Sequence, residues 1–334
     1  MIYGFGGNKV IIPSAGILAP EILGMRKATS TTFLGGTFAI RIENTDSTFP
    51  AIIAQQFDNT VVQSNVTLDF IVTSVIKYPN TNTATIYFDN PQQVIRGFGA
   101  SNVLLWRPDM TDSEINTAFG TGDGQVGFSI LRIMAEADSS RWGLYLQAAK
   151  KAQEMGVTII ASPWYAPTRM TDTINNKPRV RYDMYAAYAA HLNSFNTYMK
   201  NNGVSIYGLS VQNEPEAGDW TKWTAPEMLT FMKANANAIQ GTNVMAPESF
   251  HFDRAYSDPI LNDSVACANT DIICGHIYGG GLTSYPLAKS KGKEVWMTEF
   301  LSGETSQGND LNWSISAAKS ISDVMTSGMN AYVW

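Results

Sequence analysis

"IYGLSVQNEPE" runs from Ile206 to Glu216. Its first half is an apolar run of strand length, and its second half holds Gln212, Asn213 and Glu214 before a proline. Such polar groups cost free energy to bury unless they find partners. A strand that ends this way either dissolves harmlessly into solvent or carries chemistry at its tip. The same grammar recurs along the chain. Strand-like runs are "VIRGFGA" (Val94–Ala100), "GFSILRI" (Gly127–Ile133), "VTIIASPW" (Val157–Trp164), "NVMAPES" (Asn243–Ser249), "DIICGHIY" (Asp271–Tyr278), "EVWMTEF" (Glu294–Phe300) and "NAYVW" (Asn330–Trp334). With the opening stretch they make eight. Between them, Ser140–Met155, Met184–Asn201, Ala225–Ile239 and Asn312–Thr326 space apolar residues by three and four, as helices do.

Alternating strands and helices predict a parallel sheet with crossover helices. Eight strands over about 240 residues fit a (β/α)8 TIM barrel, for which roughly 250 residues is usual. A doubly wound open sheet is the alternative. The placement of polar groups favours the barrel, because several runs finish on a charged or hydrogen-bonding residue at the C-terminal end, the face on which such barrels build their sites. Residues 1–82 read differently. Short runs rich in Thr, Val, Ile and Phe, such as "GTFAIRIEN" and "NVTLDFIVTSVIKY", are separated by turn residues. This predicts a small β-rich module of unknown role, with the turn-rich "YPNTNTA" (Tyr78–Ala84) as its boundary and the barrel occupying 83–334.

Composition narrows the partners. A hydrophobic content of 44% can fill a sizeable core, and a net charge of -6 leaves no basic stripe to neutralise phosphates. Nucleic acid is therefore not an expected partner. The one long apolar stretch near the start, "KVIIPSAGILAPEILG", is broken by Pro13, Gly16 and Pro20, so no membrane association is expected. Cys267 and Cys274 lack zinc-ligand spacing. Both read as core thiols, with their pairing left open, and neither a metal nor an organic cofactor is expected.

The strand ends supply the candidate site. Glu214 closes the fourth run and Glu299 the seventh. If the barrel closes, both carboxyls project into one cup, as glycosidic hydrolysis requires: one acid for the leaving oxygen and one carboxylate opposite. A gap of roughly 5 to 5.5 Å would mean retention, and a wider one inversion. Arg132 ends the second run and is expected to hold a carboxylate ionised. Trp164 and Tyr165 offer flat faces to sugar rings, with Trp106 as a further substrate contact. His276 and Tyr278 end the sixth run as hydrogen-bonding candidates. Glu248 ends the fifth, either to bind a sugar hydroxyl or to act on the acid by like-charge repulsion. Each has a bland reading too: solvated strand ends, a rim salt bridge, aromatic core filler, or a histidine satisfied by backbone.

In order, "IRGFGAS", "GFSILRI", "ASPWYAP", "LSVQNEPE", "MAPES", "GHIYG" with "YPLAKSKGKEVWMTEF", and "AYVW" resemble the successive strands of glycoside hydrolase family 30, particularly its xylan-degrading, glucuronoxylanase-like subfamily. The resemblance implies a retaining enzyme acting on a xylan-type polysaccharide without cofactor or obligate protein partner. It places the acid/base on Glu214 and the nucleophile on Glu299. It also puts Asn213 at the hydroxyl beside the anomeric carbon, and Trp164, His276 and Tyr278 along the glycone side. A β-1,6-glucanase or other β-glycosidase of the same family, and a non-catalytic polysaccharide-binding protein, remain as alternatives. Met134, Glu136 and Arg169 depart from the family's usual residues. Because the chain stops at Trp334, the resemblance implies a barrel incomplete at the C-terminus, truncated after its eighth strand. The loop that reads a glucuronic acid branch would lie beyond. A polymeric substrate implies a secreted or periplasmic enzyme, although no signal peptide is visible.

Overall fold

The computed structural model describes residues 92–218, 220–301 and 311–334, together with the backbone of four strands nearer the N-terminus. The chain divides into two compact units, Met1–Asn90 and Pro91–Trp334. In the first, β1 (Ile2–Gly4), β2 (Gly36–Glu43), β3 (Pro50–Phe57) and β4 (Ile76–Lys77) form an antiparallel sheet in sequence order. The run "GTFAIRIEN" supplies β2. The expected boundary at Tyr78–Ala84 lies outside the described residues.

The second unit continues with β5 (Gly97–Asn102), β6 (Ile130–Met134), β7 (Thr158–Ser162), β8 (Thr171–Ile174), β9 (Lys177–Val180) and β10 (Ile206–Ser210). After these come β11 (Asn243–Ser249), β12 (Ile272–His276), β13 (Glu294–Glu299) and β14 (Ala331–Val333). Strands β8 and β9 make a separate antiparallel hairpin, and the other eight close into a parallel barrel, with β14 pairing β5 and β7 pairing β10. All eight expected runs are therefore barrel strands, and the open sheet is excluded.

Local sequence explains the closure. β6, "ILRIM", is buried at every position, as a strand covered on both faces must be. Inside the ring, Ile130, Ile160, Met245, Ile272, Cys274, Trp296, Ala331 and Val333 pack as one apolar cluster. β5 and β6 approach closely at Gly99, where an added Cβ would stand 2.2 Å from the Ile130 carbonyl oxygen. No side chain fits there without moving backbone.

Helices sheath the barrel: α1 (Asp112–Phe119), α2 (Leu146–Glu154), α3 (Tyr185–Asn201), α4 (Ala225–Ala234), α5 (Arg254–Asn262), α6 (Ser264–Ala268), α7 (Pro286–Ser290) and α8 (Leu311–Thr326). The segments expected to be helical contain α2, α3 and α4, and Asn312–Thr326 covers α8 but for its first residue. The others are short, and α5 contains Pro259, so their periodicity is weak. α1 did carry a readable start: Thr111 and Glu114 form a reciprocal capping box. Cys274 is buried, Cys267 is partly so, and both are free thiols. No helix among the described residues is long and apolar enough to cross a membrane.

Candidate active site

Strand direction gathers the polar tips. Because the eight strands run parallel, their C-terminal ends share one rim, and a cleft of about 570 Å³ opens there. Its walls include Trp106, Trp164, Glu214, Trp220, Phe250, Tyr278, Glu299 and Trp334. One oxygen of Glu214, one of Glu299 and one ring nitrogen of His276 lie within 4.8 Å of one another. The two glutamates thus face each other with one oxygen of each inside 4.8 Å, too close to leave the wider gap that a water-activating pair needs.

The chain beyond β10 reaches this position through backbone bonds to both neighbours. Asn213 N–H donates to Pro163 O at 2.8 Å, and Glu214 N–H to Glu248 O at 3.0 Å. Glu214 has φ 45° and Glu248 φ 58°, a left-handed conformation uncommon outside glycine. Such backbone persists where surroundings over-determine it, and it clusters at functional sites. Gln212 has a structural task, its amide donating at 2.9 Å to both Trp164 O and Asn213 O.

Glu299 is held by two donors. Arg132 Nη1 donates to Oε2 at 2.6 Å, and the Tyr278 hydroxyl donates to Oε1 at 3.0 Å. Burial raises the Glu299 pKa, but the His276 and Arg132 charges and these hydrogen bonds outweigh it, leaving the carboxyl below its ordinary value of 4.5. Glu214 presents Oε1 to His276 Nδ1 at 2.9 Å and accepts from Trp220 Nε1 on Oε2 at 3.0 Å.

Beneath the cleft, Arg132 is fully buried, with its guanidinium 4.5 Å from the Trp164 ring centroid. Besides Glu299 it donates from Nη2 to Asn213 Oδ1 at 2.6 Å and to Glu248 Oε1 at 3.0 Å. Burial raises the Glu248 pKa, yet Arg132 and His276 bring it down to about 2. Burial lowers that of His276, yet the Glu299 charge, the bond to Glu214 and the nearby Glu248 carboxylate lift it to about 9.

Several expected roles need correcting. Glu248 and His276 are 0% exposed and absent from the cleft wall, so neither can touch a substrate hydroxyl from where it stands. Arg132 is equally sealed off from substrate; the carboxylate it donates to is Glu299, and it holds Asn213 as well. Tyr165 braces Trp220 edge-on at 5.6 Å rather than lining the cleft. Trp164 and Trp106 do line it, packed edge-to-face at 5.9 Å, with Trp106 61% exposed at the rim. Glu136 is turned away, accepting from Arg141 Nε at 3.1 Å.

Trp220, Phe250 and Trp334 were not anticipated. Trp220 belongs to the quoted stretch's own loop, but loops carry no periodicity to aim a side chain. Phe250 stacks on Tyr278 with centroids 5.1 Å apart. The cluster of Glu214, His276 and Glu299 is also the grouping with metal-ligand geometry found among the described residues. It suits a cation poorly: Glu214 Oε1 and His276 Nδ1 are already hydrogen-bonded to each other at 2.9 Å, and Arg132 already pairs with Glu299.

Residues 116–240 match the glycosyl hydrolase family 30 TIM-barrel domain. The chain is 44% identical to the glucuronoxylanase XynC of Bacillus subtilis (strain 168) over 263 residues, 75% of this chain and 62% of that protein. It therefore spans less than two thirds of that relative. A family 30 endoxylanase from Clostridium papyrosolvens C71 superposes with a TM-score of 0.66 at 42% identity, covering 72% of this chain and 65% of that one. A subfamily 8 xylanase, Xyn30A, from Clostridium acetobutylicum gives 0.65 at 36% identity, over 74% and 65%.

Proposed function

The barrel of this chain belongs to glycosyl hydrolase family 30, and we propose from that premise that it is a retaining endo-β-glycosidase cleaving xylan-type polysaccharide by double displacement. The observation that carries this reading is the pairing of Glu214 with Glu299 inside 4.8 Å, with Arg132 and Tyr278 both donating to Glu299.

In the first step Glu299 attacks the anomeric carbon as Glu214 gives its proton to the departing glycosidic oxygen. The carbon–oxygen bond to the aglycone breaks, and an ester bond to Glu299 forms. In the second step Glu214, now a carboxylate, takes a proton from water, whose oxygen displaces Glu299 and restores the configuration. Arg132 and Tyr278 keep Glu299 anionic in the free enzyme without blocking it, each using one oxygen lone pair. Asn213, expected to bind the hydroxyl beside the reacting carbon, is 1% exposed and off the cleft wall, so like Arg132, from whose Nη2 it accepts at 2.6 Å, it positions the reacting pair. Trp106 and Trp220 offer rings on which sugars stack.

The xylan assignment is supported by the glucuronoxylanase and xylanase relatives, and export by the size of a polymeric substrate. Glu299→Gln should lower kcat/KM on xylan by about 10⁴-fold or more without unfolding the barrel, and NMR of the first-formed product should show the β anomer. Substantial activity in that variant, or an α product, would refute the reading.

A further inference from the structure

Glu248 lies fully buried under the cleft, out of reach of any substrate, yet its Oε1 stands 3.0 Å from Arg132 Nη2 and 3.7 Å from His276 Nε2. His276 is therefore flanked by carboxylates on both ring nitrogens, with Nδ1 2.9 Å from Glu214. A neutral imidazole has one N–H and one bare lone pair, and with its N–H donated from Nδ1 to Glu214 the bare Nε2 would point at the buried Glu248 carboxylate. An imidazolium donates from Nδ1 to Glu214 and brings its charge to 3.7 Å from Glu248, at ion-pair distance without a hydrogen bond at Nε2. The other groups facing the ring are Glu299 on β13, Arg132 on β6 and Tyr278 from the turn beyond its own strand, while Cys274 on that strand lies near Glu248. Burial raises the pKa of both Cys274 and Tyr278, so they stay neutral. The ring's charge is left at each stage to two carboxylates, Glu248 and whichever of Glu214 and Glu299 is ionised, against one guanidinium.

That balance matters because the proposed reaction moves negative charge. Before the first step the anion beside His276 is Glu299. Once Glu299 is esterified and Glu214 has lost its proton, the anion is Glu214. A cation within 4.8 Å of both keeps one anionic neighbour throughout, but only if it remains protonated at each stage. Glu248 is the one carboxylate of the three that takes no part in bond making.

Building on the retaining reading, we propose that Glu248 is a positioning residue, a constant buried anion that holds His276 as an imidazolium while the negative charge passes from Glu299 to Glu214. Fixed dipoles and charges of this kind need no reorganisation as the reaction proceeds. Glu248 also anchors Arg132, so the same anion orients the donors to both reacting carboxyls.

The chain has three histidines, His191, His251 and His276, so imidazole NMR can follow each across pH. In the wild-type protein both ring nitrogens of His276 should be protonated at pH 7. In Glu248→Gln the His276 midpoint should fall by about 1 to 3 on the pH scale, the usual effect of losing an adjacent opposite charge. With it, kcat should fall about tenfold or more, while KM changes by less than about twofold. Glu248→Asp keeps the charge and should recover part of both. A neutral His276 in the wild type at pH 7 overturns the proposal whether or not the Gln variant folds, as does a folded Gln variant with an unmoved midpoint. The ring titration needs no substrate, so its outcome is separate from product configuration, on which the retaining reading stands.

Discussion

Tyr278 shows how much a single hydroxyl contributes to the site. It donates to Glu299 Oε1 at 3.0 Å and accepts from Leu301 N–H, also at 3.0 Å, so it ties the nucleophile candidate to the backbone that follows β13. Tyr278→Phe removes a hydrogen bond to a charged group, worth about 1.5 to 3 kcal/mol, and should cut kcat/KM on xylan by about 10- to 100-fold. The same residue bears on pH dependence. Because the Glu299 pKa lies below 4.5 in the folded protein, the acid limb of kcat/KM should fall below pH 4.5. In Tyr278→Phe, with one stabilising bond gone, that limb should move up. A pH–rate profile of the two proteins checks both expectations.

At the scale of elements, the rim depends on strand-to-strand approach lower in the barrel. Ser101 pairs in register with Arg132 across β5 and β6, two positions beyond Gly99. With backbone 2.2 Å from where a Cβ would sit, Gly99→Ala has to push the two strands apart. The cost should be about 1 to 3 kcal/mol, as for other overpacking. For a unit of this size that is a fall in Tm of about 2 to 4 °C per kcal/mol, measurable by calorimetry. Activity should fall further than stability accounts for, since Arg132 would shift with its strand. The helices follow a different rule: α1 and α4 both begin with a Thr and Glu capping box, so their starts are set locally.

The whole barrel carries the site's charges into its stability. Glu248 has its pKa lowered from 4.5 to about 2, so its contribution is complete above pH 4.5 and is lost as pH falls toward 2. His276 has its pKa raised from 6.5 to about 9, so its contribution is complete below pH 6.5 and is lost as pH rises through 9. Together these buried groups favour the folded state most between about pH 4.5 and 6.5. Tm should therefore decline on both sides of that window. Glu248→Gln should flatten the acid side, because the titrating group is gone. Thermal scans from pH 3 to 10 would show a monotonic trend if the site's charges were not coupled to folding.

Sequence alone determined the ring of eight strands and the identity of the paired carboxylates. Apolar period and polar strand tips are local properties, and "SVQNEPE" and "VWMTEF" display them without reference to anything distant. It could not determine what Glu248, His276 and Arg132 do. Each read as a possible substrate contact beside another role, Arg132 as holder of a carboxylate, because strand-end position was the only guide, whereas side-chain depth depends on how neighbouring strands stagger. Only the closed barrel put Glu248 beneath the others, brought Trp220 from its loop onto Glu214, and turned Tyr165 away from the cleft. The physical reason is that burial, and with it protonation, is a property of the assembled surroundings, and residues some 80 to 170 positions apart supply those surroundings.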